Sequence, residues 1–145
     1  REVVDLLHHS IIDKHIKLIL NLKCTSRIFG YNLRFFQAVK NLVCNSVEAI
    51  ETCSTVPCEI FISTTCMNGY FVLQVADSGC GISGEIEKLI FEPFFTTKSE
   101  SSGTGLGLAI TNEIIQRDFC GTIMLTTHHP YKTCFEVRLP LSQNE

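Results

Sequence analysis

At 145 residues the chain is long enough for one domain with a buried core. Its 45% hydrophobic and 19% charged residues exclude a disordered chain, and a net charge of −3 spread without blocks leaves no footprint for nucleic acid or a polybasic membrane anchor. The longest apolar runs, such as Ile16 to Leu22, are too short for a bilayer; no signal-peptide pattern is present, and a start at Arg1 reads as a piece of something longer.

Val3 to Ile12 has the spacing of an amphipathic helix, with Leu6, Leu7, Ile11 and Ile12 as its apolar positions. Ile16 to Leu22 alternates as a strand, and Lys23 to Gly30 is a polar connection. A long helix is predicted from Leu33 to about Thr52. At steps of about 100°, Phe35, Phe36, Val39, Leu42, Val43, Val47 and Ile50 share one arc. Asn41, Asn45 and Glu48 fall on the opposite side. The ordinary reading of those three is a solvated face. Asparagine is a poor mid-helix residue, however, and an amide oxygen can bind Mg²⁺ without adding charge.

Glu59 to Cys66 and Tyr70 to Ala76 read as strands joined by the hairpin signal Asn68-Gly69. Asp77-Ser-Gly79-Cys-Gly81-Ile82 follows directly. It is either a plain tight turn or a place where a carboxylate meets a ligand amine beside glycines that allow a flat ring to approach. A short helix is predicted to about Ile90. Phe91-Glu-Pro-Phe94-Phe95-Thr-Thr-Lys98 opens a long loop, with aromatics suited to a core and a lysine able to reach a phosphate. Gly103-Thr104-Gly105-Leu106-Gly107 then opens a helix to Phe119, where backbone N–H groups can meet an anion. The spacing fits neither a Rossmann turn nor a P-loop. Gly121 to Thr127 and Thr133 to Leu139 form a last strand pair. Hairpins without repeated crossovers predict an α+β fold: a two-layer sandwich of a mixed sheet with helices on one face, in a single domain over residues 1–145.

The eight cysteines include no Cys-x-x-Cys clamp, and the two His-His pairs lie far from any such site. Several cysteines sit at apolar helix or strand positions. They are therefore expected to be reduced, small hydrophobes, as in a reducing cytoplasm, and Cys80 is expected to be an inert small residue.

Taken together and in order, these segments resemble the GHKL (Bergerat-fold) nucleotide-binding family. Asn41-Leu-Val-Cys-Asn45-Ser-Val-Glu48-Ala resembles its N box and Asp77-Ser-Gly79-Cys-Gly81 its first G box. Phe91 to Lys98 resembles the F box, Gly103 to Ile110 the second G box, and Lys132-Thr133-Cys-Phe135 to Pro140 the last strand. The resemblance runs from about Ile16 to Pro140. Hydrolytic members carry a glutamate where this chain has Asn41, and an amide cannot serve as a general base. The F-box wording is most similar to bacterial sensor histidine kinases of the nitrogen-regulation type.

The resemblance implies a catalytic domain that binds ATP and Mg²⁺ and transfers the γ-phosphoryl group to a histidine on a separate dimerisation domain, with a response regulator downstream. It implies a cytoplasmic domain without membrane or nucleic-acid contacts of its own. By the same resemblance, Asn45 ligates the metal and Asn41 supports the phosphates; Glu48 orients the metal or its waters. Asp77 takes the adenine amino group with Thr133 nearby, while Gly79 and Gly81 line the base. Phe94 or Phe95 anchors a lid, Lys98 swings toward the phosphates, and the segment Gly103, Thr104, Gly105, Leu106 and Gly107 wraps the triphosphate.

The family's phospho-accepting motif is missing: His8 and His9 lack the acidic neighbour, and with His15 they read as surface histidines. Lys132 stands where the family usually has glycine. Two rival readings remain at this point: a serine/threonine kinase of the anti-sigma-factor type, and a nucleotide-binding module that signals by binding alone.

Overall fold

The computed structural model describes residues 5, 7–8, 11–54, 56–98 and 103–141. Strand β1 (Lys17–Leu22) is followed by helix α1 (Asn32–Cys53), then by strands β2 (Glu59–Met67) and β3 (Tyr70–Asp77). Helix α2 (Gly107–Glu113) runs into a π-helical turn (Ile114–Asp118), and strands β4 (Thr122–Leu125) and β5 (Thr133–Pro140) close the chain. The five strands form one sheet in the order β1-β2-β3-β5-β4, with β1 and β2 parallel and every other pair antiparallel. This is the expected α+β arrangement.

Helix α1 forms because its apolar residues recur every three or four positions. Ala38, Val39, Leu42, Val43, Val47 and Ile50 are all buried against the sheet. Its end is set by Ser54, which takes a left-handed conformation (φ 48°) and donates its N–H to the Ile50 carbonyl at 3.0 Å. The sheet answers with period two. Ile60, Ile62, Phe71, Leu73, Val75, Phe135, Val137 and Leu139 join the same core, where each fully buried side chain contributes roughly 1.5–3 kcal/mol. The intervening residues carry a polar ladder. Gln74 Nε2 donates to Glu136 Oε2 at 2.8 Å, and Arg138 Nε donates to Glu136 Oε1 at 2.7 Å. The β4–β5 connection folds back so that Tyr131 stacks on Phe61, with ring centroids 5.7 Å apart.

Three expectations need correction. The segment predicted as a short helix before Ile90 is a chain of single turns, closed by Ile86 N–H to Ser83 O, Leu89 N–H to Ile86 O and Glu92 N–H to Leu89 O. Ser83 Oγ also accepts the Glu85 N–H, a local bond that competes with helical pairing. The helix predicted to Phe119 stays α-helical only to Glu113. The wider π turn lets the consecutive Ile114 and Ile115 both be buried. The third concerns the cysteines: Cys24 is joined to Cys66 and Cys53 to Cys80, with Cα–Cα separations of 5.3 and 5.6 Å, inside the span a disulfide bridges.

The first predicted helix, Val3 to Ile12, falls partly outside the described residues, as does His9. Of the described ones, Leu7 and Ile11 are buried in the core. Among the described residues no helix is long and apolar enough to cross a membrane.

Candidate functional site

A cavity of about 750 Å³ opens between α1, the loop after β3 and the segment leading into α2. Helix α1 supplies Asn41, Asn45 and Glu48, so the polar stripe faces this cavity and is not a solvated face. Asp77 lines it from the last position of β3 and Gly81 from the loop that follows, and Thr133 from the first position of β5, in register with Asp77. Phe95, Lys98, Gly103, Thr104, Gly105 and Gly107 complete it from the long loop and the α2 start. Three sequence candidates do not line it. Gly79 sits behind the wall, where a Cβ would meet the Ala49 Cβ at 2.8 Å; Phe94 is 76% exposed; Leu106 belongs to the α2 entry. Of the two phenylalanines, Phe95 is the one that packs against the core.

The buried end of the cavity is polar. Asp77 is 2% exposed, and its Oδ1 accepts the Gly79 N–H at 2.9 Å, which fixes the carboxylate by its own loop. Burial raises the Asp77 pKa above its ordinary value; the Gly79 N–H and the neighbouring Ser46 and Thr133 hydroxyls act the other way. Ser46 is buried beside this carboxylate, but among the described residues its hydroxyl reaches no partner with good hydrogen-bond geometry. The hydroxyl is near enough to bias the acid without being committed to it.

The middle of the cavity is held by Asn41. Its Nδ2 donates to the Gly107 carbonyl at 3.2 Å and lies 3.3 Å from Thr111 Oγ1, which itself donates to Gly107 O at 2.8 Å. The amide thus ties α1 to the first turn of α2. Asn45, one turn on, makes no hydrogen bond within the described residues, so its oxygen remains available. Among the described residues no group of three His, Cys, Asp or Glu side chains could cage a metal ion. A hard cation here fits only as one carried in by an anionic ligand, with a neutral amide oxygen completing its shell.

At the mouth, Lys98 pairs with Glu48. Gly105 has φ +68° and lies so close to Phe94 that a Cβ would come within 2.5 Å of the Phe94 carbonyl carbon. The Phe94 N–H in turn donates to Gly105 O at 2.9 Å. These contacts hold Gly105 against the Phe94 backbone. A buried acceptor at one end, amides in the middle and a lysine with glycine amides at the mouth suit a molecule with a flat, donor-bearing ring and an anionic tail.

Sequence reasoning passes over Cys44, Ala49 and Thr52, which also line the cavity. Their signal is present: they continue the stripe of Asn41, Asn45 and Glu48 at spacings of three and four. Ile82, Ile86, Ile90 and Leu108 form the apolar wall. The first three recur every four residues, which in the sequence reads only as the core face of a short helix, whereas the chain there is a run of single turns.

Residues 30–143 match the model of the family described as histidine kinase-, DNA gyrase B-, and HSP90-like ATPase. The signal transduction histidine-protein kinase AtoS of Escherichia coli (strain K12) is 34% identical over 106 residues, covering 73% of this chain and 16% of that protein. The C4-dicarboxylate transport sensor protein DctB of Rhizobium meliloti (strain 1021) is 36% identical over 110 residues, 76% of this chain and 17% of that protein. The chain therefore spans less than a fifth of either relative. Among solved structures, the nucleotide-free catalytic domain of histidine kinase ThkA superposes with a TM-score of 0.82 at 31% identity, covering 97% of this chain and 89% of that one. ThkA in complex with response regulator protein TrrA gives 0.77 at 28% identity, covering 98% and 39%. With the family model spanning every segment that lines the cavity, this chain belongs to the histidine kinase-, DNA gyrase B- and HSP90-like ATPases.

Proposed function

We propose that this chain is the ATP-binding catalytic domain of a two-component sensor histidine kinase of the nitrogen-regulation type. It is a single cytoplasmic domain, separate from the dimerisation domain that carries the accepting histidine, and it works upstream of a response regulator. The observation that carries this reading is the meeting of Asn41, Asn45, Asp77, Lys98 and Gly105 around one cavity. The similarity to ThkA, AtoS and DctB supports the kinase branch of the family.

In this reading Asp77 accepts a hydrogen bond from the adenine amino group, with the Thr133 hydroxyl beside it, and Gly81 lets the ring lie against the loop. Asn45 offers its amide oxygen to Mg²⁺, which would neutralise phosphate charge when bound. Lys98 exchanges Glu48 for the phosphates, and the Gly103 to Gly107 backbone wraps them. Asn41 supports the triphosphate through the α2 entry. It cannot activate water, so the γ-phosphoryl group is kept for a histidine nitrogen, and catalysis is mainly positioning and charge neutralisation.

The test supplies a dimerisation domain from a related kinase together with Mg-ATP. Acid-labile, base-stable phosphate on the acceptor is the expected product. Acid-stable phosphate would favour the serine/threonine kinase, and tight ATP binding without any transfer would favour the binding-only module.

A further inference from the structure

Two cysteines bracket the base-binding end of the cavity. Cys53 is the last residue of α1, and Cys80 belongs to the glycine-bearing loop after β3 and lines the cavity. Their Cα atoms are 5.6 Å apart and their sulfurs are joined, across 27 residues of sequence. The rest of the loop is already seated on the same end of α1. Gly79 fits only because it lacks a Cβ, which would meet Ala49 at 2.8 Å, and the Cys80 sulfur lies 3.6 Å from the Ala49 carbonyl oxygen. The loop therefore rests on α1 through close contacts that one covalent bond can secure. Not every cysteine is suited to such a role. Cys134 is buried in β5, and burial, with smaller effects from Glu136 and Asp77, pushes its thiol up to about 12. Cys80 is exposed.

We propose that Cys53 and Cys80 are a redox modification site that clamps the base-binding loop to α1 when oxidised and releases it when reduced. The chemistry is thiol–disulfide exchange with a small disulfide such as glutathione disulfide. The Cys80 thiolate attacks one glutathione sulfur, forming a mixed disulfide and expelling glutathione thiolate. The Cys53 thiolate then attacks the Cys80 sulfur, closing the bridge and expelling the second glutathione. The two protons lost by the cysteines go to the two glutathione thiolates; the cysteine pair gives up two electrons and the glutathione disulfide takes them. The clamp holds Asp77, Gly79 and Gly81 in one arrangement before the ligand arrives. Binding then no longer carries the cost of ordering the loop, so the oxidised form should bind ATP about three- to tenfold more tightly.

The nucleotide part of this inference rests on the ATP reading above, and the test separates the two. The chain is compared after full reduction and after treatment with glutathione disulfide. Three quantities are measured: the Cys53–Cys80 linked peptide by mass spectrometry, amide exchange over residues 78–82, and the Kd for ATP. The expected result is the linked peptide, slower loop exchange and a lower Kd in the oxidised form. Cys53→Ser, with Cys53→Ala as a second variant, should lose all three responses, whereas Cys24→Ser should keep them. Failure to form the linked peptide overturns the proposal, as does a linked chain whose loop exchange and Kd match the reduced form. If the loop exchange responds but neither form binds ATP, the clamp stands and the nucleotide reading falls.

Discussion

Lys98 and Glu48, 50 residues apart, face each other across the mouth of the cavity as an ion pair. Partial burial lowers the Lys98 pKa, with a smaller opposing effect from Cys44. Contact with a carboxylate opposes that shift by favouring the ammonium form. A pair this exposed is worth about 0–1 kcal/mol, weak enough for phosphates to displace the carboxylate. Glu48→Gln should therefore strengthen binding of metal-free ATP by about two- to fivefold at low salt, and about 0.5 M salt should erase the gain. Calorimetric titration reads this directly. An unchanged affinity at low salt would remove Lys98 from the phosphate site.

Asp77 carries opposite signs for stability and for binding. Its folded pKa is raised by burial, so the native state holds this proton more tightly than the unfolded chain does. Between the unfolded value near 3.8 and the folded one, stability then falls as pH rises, and the cost is fully present only above the folded value. Asp77→Asn removes that cost while keeping an oxygen for the Gly79 N–H. The variant should melt higher than the parent at pH 7, with the advantage shrinking as pH is lowered. Its affinity for ATP should fall by about tenfold or more, because the amide presents a donor where an acceptor was needed. Melting curves from pH 5 to 8 beside titrations check both halves; a variant with undiminished ATP affinity would remove Asp77 from the base pocket.

Residues whose local chemistry matches their tertiary setting are legible in the sequence. Asn68 and Gly69 both take positive φ, 52° and 79°, which is why that dipeptide announces the β2–β3 hairpin. The α1 stripe is visible as a stripe, but only the fold shows that it faces a cavity. What stays hidden depends on long-range packing. Consecutive Ile114 and Ile115 force a π turn because both have core to fill, and Ser83 diverts a nominal helix into turns. The cysteine pairings are invisible for the same reason: Cys53 and Cys80 share no sequence spacing that signals a bond, and they meet because the loop packs on the last turn of α1.

The two glycines nearest the α2 entry should separate folding from binding. Gly105 has positive φ and no room beside Phe94, so Gly105→Ala should cost about 1–3 kcal/mol of stability and weaken ATP binding as the loop is pushed out. A Cβ at Gly107 would meet nothing within 4 Å, and this residue begins a helix. Gly107→Ala should therefore leave stability unchanged or raise it by about 0.5–1 kcal/mol. A fall in ATP affinity in that second variant would then report a direct approach of phosphate to the backbone. Denaturant titration gives the first quantity and calorimetry the second.

Asn41 can be tested through its donor. Its Nδ2 meets the Gly107 carbonyl, and the nearby Thr111 hydroxyl is already donating to the same oxygen. In Asn41→Asp the donor becomes a carboxylate facing a carbonyl it cannot bond, so the variant should lose about 1–3 kcal/mol at pH 7. Repulsion from that carbonyl raises the carboxyl's folded pKa above the unfolded one, so stability returns as pH falls and the protonated acid can donate again. The same negative charge should oppose the phosphates and lower ATP affinity by more than about tenfold. Melting curves across pH 4 to 8 distinguish this from a generic defect. A stability loss that does not change with pH would mean that the amide donor is not what ties α1 to α2.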